Sequence, residues 1–225
     1  YNAKTPFTEL AYEGTTFALR AKEESQVQLL STQNITPAFN FTLAYNQYGA
    51  KGLLQNEATD NRTSLVALNY LGKRYLMNGG YIGQRVIRSE NGGICDSKWI
   101  RDTIVDTKEI EVNLATAANR LKRRTFFLTQ SYSIPMNFFR KDKDSLALGE
   151  GTMAYIGHSA EYSTYLKAYD DKISSAVSRD FYNNNFLLST TASNDSIALR
   201  RFENKFFIKL QPFAPDAVVS KINGG

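Results

Sequence analysis

Short runs of alternating apolar and polar residues organise this chain. In FNFTLAYN, Phe39, Phe41, Leu43 and Tyr45 fall on one side of an extended strand, and Asn40, Thr42, Ala44 and Asn46 on the other. Far along the chain, FENKFFIKLQPF puts Phe202, Phe206, Ile208 and Leu210 on one face and Arg201, Glu203, Lys205, Lys209 and Gln211 on the opposite one. Charges in that density need water. Alternation fits water outside a two-layer sandwich as well as water inside a pore.

The same reading gives further strands. TPFTELAY (5–12) and SQVQLLSTQ (25–33) form a pair. RTSLVALNYLG (62–72) and KRYLMNGGYIGQRVI (73–87) follow one another across Leu71-Gly72, a tight turn. Gly79, Gly80 and Gly83 within the second of these predict a bulge or a closely packed neighbouring backbone. RTFFLTQSYSIP (124–135) and TMAYIGHSAEYSTYL (152–166) complete the set. The connections are uneven: 89–121, 137–151 and 167–196 read as long polar loops, and LATAANRLKR (114–123) fits either a short amphipathic helix or irregular loop. Loops of that size are uncommon in compact soluble domains. Membrane barrels, by contrast, alternate short turns with long loops. The pattern therefore predicts an all-β chain, an antiparallel transmembrane β-barrel with short turns on one side and long loops on the other.

Composition supports strands and removes several chemistries. Of 225 residues, 14 are Phe and 13 Tyr, a mixture that favours sheet over helix. No apolar run approaches the roughly 20 residues of a membrane-spanning helix. The chain opens on YNAKTPFTEL, without a basic and then apolar leader, so a leader was removed or the residues come from inside a longer protein. Cys95 and His158 are the sole residues of their types, leaving no disulfide framework and little material for a metal site or a histidine relay. His158 and Ser159 would point to opposite faces of a strand, which excludes them as a hydrolase pair despite Glu161 nearby. The paired acids Glu23-Glu24, Asp142/Asp144 and Asp170-Asp171 lack calcium-loop spacing and read as solvated loops. No phosphate-binding glycine motif is present. Formal net charge is +5, but Lys122-Arg123-Arg124, Arg140-Lys141 and Arg200-Arg201 are scattered. That scatter suits loop solvation or a positively lined lumen better than nucleic acid.

The strand texts KTPFTELAYEG, TQNITPAFNFTLAYNQYGAKGLLQNEATDN, YLGKRYLMNGGYI, ENGGI, RTFFLTQSYSIP and RRFENKFFIKLQPFAPDAVVSKINGG together resemble the putative porin family of the Bacteroidota. The resemblance runs the length of the chain and is weaker in the loops. It implies a bacterial outer-membrane β-barrel longer than this chain, with residues 1–225 as a single β-barrel domain incomplete at both ends. The ending on Asn-Gly-Gly, with no aromatic strand end, fits a central piece. It implies no catalytic residue, no cofactor and no metal, hence a non-enzyme. Asp102-Thr103-Ile104, Asp144-Ser145-Leu146 and Asp195-Ser196-Ile197 look similar to O-glycosylation acceptors of that phylum, and all fall in or beside the expected loops.

The expected activity is passive diffusion of small solutes through a porin-like pore. Arg201, Glu203, Lys205, Lys209, Asn40 and Thr42 would face the lumen; Phe39, Phe41, Leu43, Tyr45, Phe202, Phe206, Ile208 and Leu210 would face lipid. The partners would be outer-membrane lipid and other outer-membrane or periplasmic subunits, with no nucleic acid. Two alternatives stand beside it: a structural barrel subunit of a multi-protein outer-membrane complex with no open channel, and a soluble secreted β-sandwich that binds a ligand.

Overall fold

Alternating, aromatic-rich segments need neighbours for their backbone N–H and C=O groups, and each strand here pairs with the strands adjacent to it in sequence. The computed structural model describes residues 5–14, 24–96, 98, 106–135, 153–173, 176–182, 189 and 191–211. It contains β1 (Phe7–Gly14), β2 (Glu24–Thr36), β3 (Phe39–Lys51), β4 (Ala58–Leu71), β5 (Tyr75–Ser89), β6 (Ala118–Pro135), β7 (Met153–Lys172), the short helix α1 (Ala176–Tyr182) and β8 (Ala192–Gln211). The strands form one antiparallel meander in the order β1 to β8. β1 and β8 lie at its two edges, so the sheet is open, as a section of barrel wall is.

Two stretches depart from the sequence expectation. Residues 118–123 belong to β6 rather than to a helix or a loop. Leu114, Ala118 and Leu121 carry a helix-like spacing, but Ala118 pairs both with Ser89 of β5 and with Asp170 of β7. Two flanking ladders outweigh a weak local helical preference. The supposed loop 167–196 is largely structured: β7 runs to Lys172, α1 follows, and β8 begins at Ala192. Asp195-Ser196-Ile197 is therefore strand, paired with Tyr169, Ala168 and Lys167. The other two candidate glycosylation tripeptides lie outside the described residues, as does the 137–151 segment.

Of the two readings for the β5 glycines, close packing is the one observed. A Cβ on Gly80 would stand 2.3 Å from the Val66 carbonyl oxygen and 2.9 Å from Cζ of Phe127. The register through β5 is unbroken, and a shift is found instead between Asn34 and Thr36 of β2.

At one end of the sheet, residues 37–38 and 72–74 make tight connections. At the other end the β3–β4 connection (52–57) and the described parts of the β5–β6 connection (90–96 and 106–117) pack together with α1. Residues 91–95 and 111–114 lie alongside each other, with Leu114 N–H donating to the Asn91 carbonyl (2.8 Å) and Asn113 N–H to that of Gly93 (3.0 Å). Gly92 and Gly93 take φ of 65° and 88°, which suits residues without a side chain. Asn56 then donates its amide to the carbonyls of Glu90, Leu114 and Ala117, at 2.8, 3.2 and 3.0 Å. The Lys108 ammonium reaches the carbonyls of Gly52 and Leu54, at 2.6 and 2.9 Å. Asp171 is buried and accepts from the hydroxyls of Thr116 (2.6 Å) and Tyr182 (2.7 Å), tying α1 down. Burial first, and then the bonds to Tyr169 and Asp171, hold the Tyr182 hydroxyl protonated well above the usual phenol range. The buried apolar side chains among the described residues are Ile110, Val112, Leu114, Ala117 and Ile173, all in this loop cap.

Candidate functional site

Residue register assigns every strand position to one of two sheet faces. Asn34, Asn40, Asn69, Asn78, Thr129, Ser159 and Lys205 stand opposite one another in a continuous cross-strand row. Thr42, Arg201, Glu203 and Lys209 lie on the same face. The six candidate polar residues, read from strands far apart in sequence, thus share one surface.

That polar face is closely bonded at β2 and β3. Asn40 donates its amide to Asn34 Oδ1 (2.7 Å) and to Thr32 Oγ1 (3.1 Å), while Thr42 donates to Asn40 Oδ1 (3.0 Å). Thr32, Asn40 and Thr42 are 1–3% exposed, although among the described residues no second layer of structure covers them. Only crowding by neighbours on the same face can bury side chains of a single sheet. At β8 the face is more open: Arg201 pairs with Glu203, Lys205 lies 3.5 Å from the same carboxylate, and the Lys209 ammonium sits 5.9 Å from the centre of the Tyr155 ring. Glu203 and Glu161 stand directly opposite each other, so the cations beside them offset a repulsive pair. The pairing is mainly within β8, not with acids of neighbouring strands.

The opposite face carries all eight candidate apolar residues. Leu43, Val66, Tyr81, Phe126, Tyr162 and Phe202 form its central row, with the Tyr81 and Phe126 rings 4.9 Å apart. Phe39, Phe41, Leu43 and Tyr45, flanked by strands on both sides, are half-buried. Phe202, Phe206, Ile208 and Leu210, on an edge strand, are 65–77% exposed. A surface this apolar and open is not that of a water-soluble monomer. Near the tight-turn end its polar groups bond one another: Tyr75 Oη donates to Gln130 Oε1 (2.6 Å), and His158 bridges Gln130 (3.2 Å) and Asn204 (2.5 Å) while stacking on Phe206. Ser159 lies on the far face, so it and His158 do not form a pair.

Sequence reasoning missed a second feature of the apolar face. Arg62, Arg85 and Lys122 stand side by side in one cross-strand row, with Arg124 and Arg200 in the adjacent row. The Lys-Arg-Arg run was visible, but register alone shows that Lys122 and Arg124 join β4, β5 and β8 cations on the aromatic side.

A single-layer meander of long strands, apolar on one face and polar on the other, is the kind of wall from which membrane β-barrels are made. A family model described as Putative porin matches residues 1–219, and the chain belongs to that family. It is thus porin-like, a protein of the outer membrane. No curated protein and no solved structure matches the chain.

Proposed function

We propose that this chain forms part of the wall of a passive diffusion pore, within a single barrel domain that extends beyond both sheet edges. The polar row from Asn34 to Lys205 lines water, and the aromatic row from Leu43 to Phe202 touches lipid. One observation carries this reading: among the described residues the polar face is crowded at β2 and β3 with no covering layer, as on the concave side of a curved sheet, while most of the exposed large apolar side chains, Phe202, Phe206, Ile208 and Leu210 among them, stand on the other. The apolar stretch of β8 from Phe202 to Leu210 would rise ~20 Å through a bilayer at a tilt of about 40°, close to the apolar belt of such barrels. Open edges at β1 and β8 do not survive in lipid, so further strands must pair with them.

Solute would pass down its gradient, with no turnover and no cofactor. Arg201, Lys205 and Lys209 outnumber Glu203 along β8 and would favour anions locally. The test uses the full-length protein in planar bilayers. Stepwise conductance is expected, and Lys205→Glu with Lys209→Glu should move the reversal potential towards cations. No conductance rejects the pore; conductance with unchanged selectivity rejects the filter alone. The bonded cap favours one further reading, a closed barrel that serves as a docking subunit in an outer-membrane complex. Copurifying subunits together with absent conductance would favour it.

A further inference from the structure

We infer that the cationic rows on the aromatic face form a seat for the phosphorylated headgroup of a membrane lipid. Five exposed cations from four strands lie in these two rows: Arg62, Arg85, Lys122 and Arg124 side by side, and Arg200 one strand further on, across Thr164. Like charges placed directly opposite one another destabilise a sheet unless an anion lies between them. Asp60 neutralises Arg62 at 2.9 Å, and Asp170 takes the nearby Arg120 at 2.7 Å. Among the described residues, Arg85, Lys122, Arg124 and Arg200 have no such partner.

The cations also border a shaped depression. Arg62, Arg85, Lys122, Arg124 and Tyr45 line a groove of about 190 Å³, with Gly83 also in its lining. A Cβ on Gly83 would stand 2.9 Å from both Tyr81 Oη and Ser64 Oγ, so the Tyr81 hydroxyl and the Ser64 hydroxyl, which donates to the Gly83 carbonyl at 3.4 Å, take the place of a side chain beside the cations. Guanidinium, ammonium and hydroxyl donors around one hollow suit the oxygens of a phosphate.

Location selects lipid as the source of that phosphate. The row of Leu43, Val66, Tyr81, Phe126, Tyr162 and Phe202 is the immediate neighbour of the Ser64, Gly83, Arg124 and Arg200 row on the side of the tight turns. An occupant with an acyl chain on the rings and an anion in the groove matches both surfaces. A free anion leaves the rings uncovered, and a nucleic acid has no apolar counterpart to them. The inference rests on the aromatic face being the lipid face.

The whole protein carrying this chain, purified in a neutral detergent, would be measured by native mass spectrometry with diphosphorylated lipid A and with the same lipid after dephosphorylation. Binding of the phosphorylated form is expected to fall on the order of 100-fold in Arg85→Gln/Lys122→Gln/Arg124→Gln, at about fivefold per cation. The single Lys122→Gln should lose about fivefold by the same rule, which keeps the test available if the triple variant folds poorly. The dephosphorylated lipid should be indifferent to these changes, and so should Lys205→Gln/Lys209→Gln to either lipid. Equal binding by wild type and Lys122→Gln, or displacement of the lipid by an equal concentration of inorganic phosphate, overturns the seat. A nitroxide on Phe202→Cys, in a Cys95→Ser background, separates the two levels of failure. Relaxation by oxygen and not by a water-soluble nickel chelate keeps the face assignment whatever the lipid does; the reverse overturns both.

Discussion

The wall and the loop cap of this protein are built from the same apolar residue types and use them oppositely. In the wall, Phe202, Phe206 and Ile208 stand more than half exposed, and the side chains that vanish from the surface are polar, Thr32, Asn40, Thr42 and Thr125. In the cap, Ile110, Val112 and Leu114 are 3–8% exposed, and Asn56 and Lys108 stitch backbone carbonyls around them. The cap thus obeys the rule of a water-soluble domain, apolar inside and polar outside, while the wall inverts it. The inversion is stable only where the solvent on one side is hydrocarbon.

The contrast is sharpest under truncation. Leu114→Ala should lower the local stability of the cap by about 2–5 kcal/mol, since it empties a packed site. Amide exchange should accelerate at Cys95 and Asn113 and remain unchanged at Thr42; equal acceleration at all three would mean that cap and wall unfold as one unit. Next comes a pair of neighbours on β6. Leu128→Arg should destabilise the protein in a bilayer by about 2–4 kcal/mol, and Thr129→Arg, one residue on and facing the other way, by less than about 1 kcal/mol. Unfolding in lipid vesicles measures both, and equal costs would return the chain to a sandwich with water on each outer surface. The smallest effect concerns the cap thiol. Burial first, then the charge of Glu111, pushes the Cys95 thiol above its ordinary range. Below the ordinary thiol pKa this costs nothing; as pH rises through the ordinary and then the folded value, the unfolded chain ionises first and the cap loses stability. Alkylation of Cys95 should reach half its maximal rate at a higher pH than in the unfolded chain, and a coincident profile would mean that the cap is open in solution.

Much of the wall was legible because its determinants are local. Alternation in FNFTLAYN and FENKFFIKLQPF located β3 and β8 and sorted Asn40, Thr42, Lys205 and Lys209 from Phe39, Phe41, Phe206 and Ile208. A strand has period two, so the sorting needs no partner. The cap was not legible, because Asn56 and Lys108 act on carbonyls more than thirty residues away and nothing in their own surroundings marks them. The start of β6 at Ala118 was misread for the same reason, since its extended form is imposed by Ser89 and Asp170.

By itself, then, the sequence determined that this is a strand protein with two unlike faces, and its strand texts carried the family. Beyond the β1–β2 and β4–β5 pairs, which strands adjoin was decided only by the tertiary structure, as was the register throughout. Register turns scattered letters into surfaces: it aligned asparagines, threonine, serine and lysine into one polar row, and gathered Arg62, Arg85, Lys122, Arg124 and Arg200 on the aromatic side. Slipping any strand by a single residue would exchange its two faces, which is why no residue's own neighbourhood contains that information.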